Sequence, residues 1–341
     1  MRFPTSLSFL VTLAVLAGTA ALGQALAAPS PSVVTLRIGA TGADIQRALD
    51  GLPEAGGEVL LPAGLFEISR PVILQRDNQA LLGMGRTTVL RLADNADCPV
   101  IILGEAVDRP GRTVRHLRVG GLYIDGNRLH QRNELWRLAH GSSEIHNNGI
   151  TVQDVSDSSV TNVTCAHCRS GGLVTTMGVR RLTVQNLEAF DSEFDGLACY
   201  LTTDSRFVNL YLHDNRSAGI SLDLAFDRNS VSDAVLTAND LGIFMRSSCG
   251  NRFQDISIRN SRHFGVFIAQ SEIETSQGWR PLAHTECTGN SFINLLATGC
   301  GSAAFHIDDL SCTNNVVLSS TAPVAFGGNL PMAGFPFQTG R

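Results

Sequence analysis

A short phrase that begins with glycine returns along the middle of the chain and limits the possible folds more than any other pattern in the sequence. Its first residues are Gly149, Gly172, Gly196, Gly219, Gly242 and Gly265. Successive glycines lie 23 or 24 residues apart, and a seventh phrase, beginning at Ala304, follows after one further repeat and a 16-residue insertion. Self-similarity at a period of this size indicates supersecondary units that stack on one another.

Each phrase has the alternation of a short β-strand. The first and third residues after the glycine are apolar in almost every copy, as in Ile150 and Val152 or Ile243 and Met245, whereas the second and fourth vary. This alternation predicts a strand with one face toward a core. The varying positions are therefore expected to form two columns on the outer face.

A second strand is expected about fourteen residues after each glycine, beyond a column of mostly Asn and Asp residues that tolerate left-handed turns. These strands are expected to begin at Val163, Leu187, Leu210, Val235, Ile256 and Leu295. The polar column is Asn162, Asn186, Asn209, Ser232, Asp255 and Asn294, and a third apolar point such as Val160 precedes it. Three short strands and their turns in about 23 residues predict an all-β fold, one coil of a parallel β-helix per repeat.

The N-terminal residues 1–28 differ in composition from the repeat. Arg2 is followed by an apolar run from Leu7 to Leu22 and by the small-residue pattern Ala25-Leu26-Ala27. This order predicts a secretory signal peptide, so we expect a secreted protein, extracellular or periplasmic, that has no membrane segment after the signal is removed.

An amphipathic helix is expected ahead of the coils. Ile45, Ala48 and Leu49 share one side of the stretch from Asp44 to Asp50, and such a helix covers the apolar end of a strand stack. We therefore expect a single β-helix domain over 29–341, with the cap at about 43–70, regular coils at about 71–318 and a C-terminal loop or tail at 319–341.

Net charge limits the expected binding partners, and the cysteine content bears on disulfides. The net charge is −5 and no basic cluster is present, which argues against nucleic acid but leaves acidic polysaccharides open. Eight cysteines in an exported chain allow disulfides. Cys287 and Cys312 occupy the same place in consecutive coils and are the first expected pair, with Cys249 as a competitor.

The opening of the mature chain resembles a known superfamily. The order DIQRALD from Asp44, GGEVLLPAGLFEI from Gly56 and LLGMGRTTVL from Leu81 is similar to the start of pectate-lyase-like, right-handed parallel β-helix proteins. The resemblance implies a carbohydrate ligand held along one strand stack. Lyases, glycoside hydrolases, epimerases and phage tailspikes share this fold, so the resemblance does not fix an activity.

The outward columns contain a set of groups suited to uronate chemistry. Tyr200, Asp223 and Arg246 occupy the fourth position of three consecutive phrases, where coils are about 4.8 Å apart. Breaking or inverting a uronate at C5 requires a cation for its carboxylate and groups that transfer protons. We expect Arg246 to supply the cation and Tyr200 to transfer a proton if a nearby cation depresses its pKa; the alternative is an ordinary salt bridge between Asp223 and Arg246. Gln153 and Asp308 share this column and are expected to bind substrate.

An acidic turn precedes the Gly196 phrase. Asp191, Glu193 and Asp195 alternate along it, which suits an oxygen-seeking cation such as Ca²⁺, the expected cofactor. A solvated corner is the alternative. Asp195 is also a candidate for proton transfer together with Asp223.

The same stretch resembles part of the bacterial mannuronan epimerases. FDG from Phe194 and AGISLD ending at Asp223 are similar to the region in which a Phe-Asp-Pro-His motif precedes a second aspartate, and the resemblance implies catalytic roles for Asp195 and Asp223. Gly196 and Leu197 stand where that family has Pro and His.

A long insertion between Asp125 and Gly149 is the other expected wall of the groove. It carries Trp136, which is suited to stacking on a sugar ring, and His146, which comes just before the first regular phrase. We expect Trp136 to bind substrate and His146 to take part in catalysis.

Three functions follow from these features. The first is a secreted lyase or epimerase that acts on a uronate-containing polysaccharide. The second is a glycoside hydrolase, which requires two carboxylates such as Asp195 with Asp223, or Asp223 with Asp227. The third is a non-catalytic carbohydrate-binding or surface solenoid. The sequence gives no prediction of oligomeric state.

Overall fold

The computed structural model describes residues 32–136, 145–271, 275–276, 280–281 and 283–318. Nearly all of its elements are strands that pair in parallel with their counterparts in the neighbouring coils, so the predicted all-β parallel β-helix is confirmed. The predicted signal peptide and the 319–341 tail lie outside the described residues. Within the described part of the chain, no helix has the length and apolar character needed to cross a membrane.

The glycine-led phrases form one sheet of nine strands, called here the glycine sheet. Its strands are Val72–Leu74, Ile101–Leu103, Ile150–Gln153, Leu173–Thr176, Leu197–Tyr200, Ala218–Asp223, Leu241–Met245, Phe264–Ile268 and Ala303–Ile307. Each phrase lies in register on the next, with Ile150 beside Leu173 and Leu197 beside Ile220. The first and third positions after the glycine point inward as predicted.

The glycine at the head of each phrase is required by a close approach between coils. A Cβ atom on Gly149 would lie 2.6 Å from the carbonyl oxygen of Gly172, and one on Gly172 would lie 2.5 Å from the carbonyl oxygen of Gly196. Both distances are well inside van der Waals contact, so a side chain there would push the coils apart. The repeat of glycine is thus a packing requirement of the stack.

A second, thirteen-stranded sheet contains the longest strands and is called here the long-strand sheet. Its strands are Ser32–Thr35, Gly57–Leu60, Gly64–Ile68, Gln79–Leu82, Thr88–Leu92, Arg118–Asp125, Ser159–Ala166, Thr183–Phe190, Arg206–His213, Ser230–Thr237, Arg252–Arg259, Ser291–Thr298 and Val316–Leu318. Here the prediction of separate strands on the two sides of the polar column is wrong. Val160 and Val163 belong to one strand, which bends at Asn162, where the backbone takes a left-handed φ of 56°.

The polar column itself is confirmed, apart from one shift of register. Val208 pairs with Ser232 and Leu210 with Ala234, so the left-handed residue of that coil is Asp233, not Ser232. Ala234 is buried there, whereas Val235, the predicted strand start, is exposed. The turn ahead of this strand is one residue longer than in the previous coil, which displaces the pattern.

The remaining elements are short. A four-stranded sheet comprises Val114–Arg115, Val155–Ser156, Val179–Arg180 and Thr202–Thr203. The other elements are the 3-10 turns Gly85–Thr87 and Arg128–His130 and the antiparallel strands Thr275–Ser276 and Arg280–Pro281.

The predicted capping helix spans Gly42–Asp50. The Thr41 hydroxyl accepts a hydrogen bond from the Asp44 amide, and the Asp44 carboxylate accepts one from the Thr41 amide, which is the reciprocal arrangement that stabilises a helix start. Ile45 and Leu49 are fully buried against the first coils. The helix therefore closes the N-terminal end of the apolar interior.

The interior is a continuous column of aliphatic and aromatic side chains. Phe253 and Phe292 of adjacent coils stack with ring centroids 4.7 Å apart, and burying a side chain of this size contributes about 1.5–3 kcal/mol. The predicted disulfide is absent: all eight cysteines are free thiols. Cys287 and Cys312 are nevertheless in contact, with the Cys287 amide donating to the Cys312 sulfur at 3.3 Å.

Candidate functional site

Three consecutive coils bring Tyr200, Asp223 and Arg246 together at the end of the glycine sheet, as the column predicts. Tyr200 pairs directly with Asp223, and the amide of Arg246 donates to the carbonyl of Leu222 at 2.8 Å. The Arg246 Nη2 and the Asp223 Oδ2 are 2.5 Å apart. The strand register therefore places a phenol, a carboxylate and a guanidinium side by side.

The two partners of this ion pair differ in exposure. The Asp223 side chain is 4% exposed, whereas that of Arg246 is 22% exposed. The guanidinium lies 5.2 Å from the centre of the Phe244 ring, and among the described residues its Nε has no hydrogen-bond partner. Asp223 thus fixes the position of Arg246, and the 22% of the Arg246 side chain that is exposed is the part that a ligand could reach.

Asp195 joins the cluster from the turn before the Gly196 phrase. It is buried, and its Oδ1 accepts a hydrogen bond from the Ala218 amide at 2.8 Å. Burial raises the pKa of Asp195 to about 6, against the lowering effect of the bonds from Ser217 and Ala218. Burial likewise raises the pKa of Asp223, although Arg246 opposes it.

Tyr200 behaves differently from the expectation. Burial, followed by the negative charges of Asp195 and Asp223, raises the pKa of its phenol, and this outweighs the Ser221 hydrogen bond and the charge of Arg246. The condition of a depressed pKa is therefore not met, because burial and two carboxylates outweigh one guanidinium. The phenol stays protonated.

The acidic turn does not gather its carboxylates around one point. Asp191 binds Arg128 and His167, whose hydrogen bonds hold the pKa of Asp191 below its usual range despite its burial. Glu193 lies between Arg128 and Arg216. Since guanidinium groups already neutralise Asp191 and Glu193, the set of Asp191, Glu193 and Asp195 does not fit a calcium ion, and we assign no step to one.

The two residues expected to bind substrate in the same column lie apart from the cluster. Gln153 is buried, and its Nε2 donates to the carbonyls of Glu105 and Val107, so it anchors a loop. Asp308 accepts from His306 at 3.2 Å and lies two coils beyond Arg246.

The insertion before Gly149 is only partly described, because residues 137–144 lie outside the described ranges. Trp136 is partly buried and packs against the core. The Nδ1 of His146 is 2.7 Å from the Glu134 carboxylate, and its side chain is 41% exposed. Neither residue is among the groups that contact Tyr200, Asp223 or Arg246 in the described part of the chain.

The outer face of the glycine sheet is less open than expected. Ser221, Phe244 and Phe267, which occupy the first outward column, are all buried. Sequence reasoning assigned Ser221 and Phe244 no role, although they contact Tyr200 and Arg246. The sequence signal that could have identified them is their place two residues after the glycine of the repeat. Tyr200 and Arg246 are the most exposed members of the cluster, whereas Asp195 and Asp223 keep 8% and 3% of their surface exposed.

Comparisons with known proteins agree with this fold. A family model described as a right handed beta helix region matches residues 111–241. The ORF18 protein of Geobacillus virus E2 is 14% identical with a TM-score of 0.57 over 84% of this chain and 61% of its own, so the chain spans about three fifths of that protein. The Dettilon tailspike protein gp208 is 12% identical with a TM-score of 0.52 over 84% of this chain and 68% of its own.

A third similar structure is the A-module of the mannuronan C-5 epimerase AlgE4 of Azotobacter vinelandii. It is 15% identical with a TM-score of 0.47, over 84% of this chain and 93% of its own, and that score is too low to support an inference. No curated protein sequence matches the chain significantly. The viral likenesses show the fold alone, and the predicted right-handed β-helix is confirmed at that level.

Proposed function

We propose that this chain is a secreted enzyme that acts on a uronate-containing polysaccharide, as a lyase or a C5 epimerase. One observation supports the proposal above all: three consecutive coils hold a carboxyl group with a pKa of about 6, a protonated phenol and a partly exposed guanidinium. These are the charge and proton-transfer functions that C5 chemistry requires.

In this mechanism Arg246 binds the substrate carboxylate through the exposed part of its guanidinium, while Asp223 keeps the guanidinium in place. Neutralising the uronate carboxylate makes its C5 proton more acidic, and Asp195 in its carboxylate form removes that proton. Tyr200 then supplies a proton. In elimination the C4–O bond breaks, a C4–C5 double bond forms and the proton goes to the departing glycosidic oxygen. In epimerisation the proton goes to the opposite face of C5 and no bond to oxygen breaks.

A product assay tests the proposal. The exported protein is incubated with uronate-containing and neutral polysaccharides, with Ca²⁺ or with a chelator, and its mass shows whether residues 1–28 have been removed. A lyase forms an unsaturated uronate that absorbs in the ultraviolet. An epimerase incorporates solvent deuterium at C5 without new chain ends. Absence of both products on every uronate polymer contradicts the proposal.

Variants with matched controls locate the activity. We expect Tyr200→Phe and Arg246→Ala each to lower kcat/KM by about 100-fold or more, the scale of lost proton transfer or charge stabilisation. Tyr211→Phe removes an exposed phenol on the other sheet, and Arg181→Ala removes an exposed intercoil pair with Asp157 at 2.6 Å. Both controls should keep full activity; equal losses in controls and site variants would contradict the assignment.

The pH dependence tests Asp195 separately. As the base it must be deprotonated, so kcat/KM should fall as the pH drops through about 6. Stability should change in the opposite sense, because a carboxyl whose folded pKa exceeds its ordinary value of 3.8 favours folding while protonated. Relative to Asp195→Asn, the wild type should lose about 3 kcal/mol of unfolding free energy as the pH rises from about 3 to about 7. A flat difference in denaturant titrations would exclude this assignment.

A glycoside hydrolase is the second candidate, since burial raises the pKa of both Asp195 and Asp223. One protonated and one ionised carboxyl is the arrangement that glycoside hydrolysis uses. New reducing ends without ultraviolet absorption would identify it. Binding to a polysaccharide without turnover would instead identify a non-catalytic solenoid.

A further inference from the structure

A second polar cluster lies on the turns that leave the glycine sheet. Asp227, Cys249 and His284 come from two successive coils and from the insertion that follows Ile268, and one ligand atom of each lies within 4.8 Å of the others. The His284 Nε2 is 3.0 Å from both carboxylate oxygens of Asp227. The Cys249 sulfur is 3.4 Å from the His284 Nδ1.

The orientation of His284 is set by groups other than Asp227 and Cys249, which together with His284 are called here the trio. Its Nδ1 lies 3.1 Å from the carbonyl oxygen of Glu286, and its own carbonyl accepts a hydrogen bond from the Ser247 hydroxyl at 2.7 Å. Because a carbonyl and a carboxylate both only accept, Nδ1 donates to Glu286, and a metal ion would take the place of a proton between Nε2 and Asp227. An imidazole that donates one N–H to a main-chain carbonyl and presents its other nitrogen is the usual arrangement of a metal-bound histidine.

We propose that Asp227, Cys249 and His284 bind a zinc-class divalent transition metal, with a fourth position left to water. Thiolate, imidazole and carboxylate together are a ligand set of Zn²⁺ and Co²⁺. Ca²⁺ and Mg²⁺ take oxygen ligands, and the sulfur excludes them. The side chains of Asp227 and His284 are 13% and 14% exposed, so an ion would be largely shielded while remaining accessible.

The same three residues also resemble a nucleophile, base and acid in series, but the hydrogen bonds disfavour that role. With Nδ1 protonated, His284 cannot accept the proton of Cys249. The sulfur is also enclosed by the Glu286 carbonyl and by the hydroxyl and amide of Thr288, at 3.3–3.4 Å. A metal fits this crowding, because it displaces the thiol proton and is bound by side chains that already converge.

The consequence of binding concerns the insertion. His284 is its only contribution to the trio, whereas Asp227 and Cys249 belong to the coils, and the Cys249 amide already donates to Asp227 at 2.9 Å. An ion would therefore fasten the segment after Ile268 to two turns of the stack. This inference does not depend on the proposed enzymatic activity.

Cobalt titration of the full mature chain, stripped with a chelator, tests the site. We expect one Co²⁺ per chain, a sulfur-to-cobalt charge-transfer band in the near ultraviolet, and displacement of both by one equivalent of Zn²⁺. Cys249→Ser should abolish the band, and His284→Gln and Asp227→Asn should weaken binding at least tenfold. Cys300→Ser, which changes a half-exposed thiol elsewhere, should leave the titration unchanged.

Two results would overturn the proposal. One is Co²⁺ binding without a thiolate band, or with a band that survives Cys249→Ser. The other is peptide mapping of the exported protein that finds Cys249 in a disulfide. Alkylation keeps the test independent of folding of the variants: in the wild type, Zn²⁺ should slow modification of Cys249 and leave that of Cys300 unchanged, and equal rates with and without Zn²⁺ would also refute the site.

Discussion

Two of the asparagine stacks that run along this molecule share the same one-coil spacing but stabilise it in different ways. The exposed ladder, Asn162, Asn186 and Asn209, joins side chain to side chain at 2.6 and 2.8 Å. The buried ladder, Asn229, Asn251, Asn290 and Asn315, also joins side chain to side chain, but each side chain bonds main-chain groups of a turn as well. Water can replace the bonds of the first ladder and has no access to most of the second.

Asn251 shows the difference most clearly. Its Oδ1 accepts from the amide of Asn229 at 2.8 Å, and its Nδ2 donates to the carbonyl of Phe226 at 2.7 Å and to Asn290 at 2.9 Å. Each main-chain group left unpaired in the interior costs about 1–3 kcal/mol. The buried ladder therefore supplies hydrogen bonds to main-chain groups of the turns that have no partner in the sheets. Two ladders with the same spacing can thus contribute differently to the free energy of unfolding.

The largest expected effect is that of Asn251→Ala. It leaves the Asn229 amide and the Phe226 carbonyl without partners, so we expect a loss of about 3–5 kcal/mol in unfolding free energy. Denaturant titration measures it, with Asn209→Gly in the exposed ladder as the control. A loss below about 1 kcal/mol would mean that the two ladders are equivalent.

A smaller effect is expected for Asn186→Ala. Asn186 has a φ of 57°, and placing alanine in this left-handed region costs about 1 kcal/mol. Asn186→Gly removes the same side-chain bonds without that backbone cost and should change stability by less than about 0.5 kcal/mol. If the two variants lose equal stability, the ladder bonds matter more than the backbone conformation.

The smallest effect is expected where the exposed column pairs an asparagine with an aspartate. The Asn294 Nδ2 donates to Asp255 at 2.6 Å, and this bond, with one from Gln254, lowers the pKa of Asp255. A depressed carboxyl pKa contributes stability above the ordinary value and loses it as the pH falls through the folded value. In Asn294→Gly the pKa of Asp255 should rise toward normal in an NMR titration. An unchanged Asp255 pKa would show that the bond is not formed in solution.

Much of the fold could be predicted from the repeat. The positions around Gly196 and Gly219 show which residues face inward, because the side-chain period of a strand is two. The exposed column was recognisable because its residues recur beside apolar ones. The buried ladder was missed, although Asn251, Asn290 and Asn315 follow recurring cysteines, since a polar residue beside a turn is indistinguishable in sequence from a solvated one.

For the candidate site, too, some features could be predicted from the sequence and others could not. Tyr200, Asp223 and Arg246 could be placed together because they occupy one column of the period. Their pKa shifts could not be predicted, because they depend on how far the outer face is covered. The trio of Asp227, Cys249 and His284 was out of reach for another reason: His284 belongs to an insertion, and position within the period says nothing about where an insertion returns.

The contact between the glycines of adjacent coils has a consequence for how such a chain can change in evolution. Because Gly172 touches the carbonyl of Gly196, a coil that inherits the glycine can be duplicated and inserted without altering its neighbours, and each duplication lengthens the stack by one spacing, about 4.8 Å. A point substitution at the same glycine disturbs two coils at once. The stack thus tolerates the gain or loss of a whole coil, but it does not tolerate substitution of the glycine that begins a phrase.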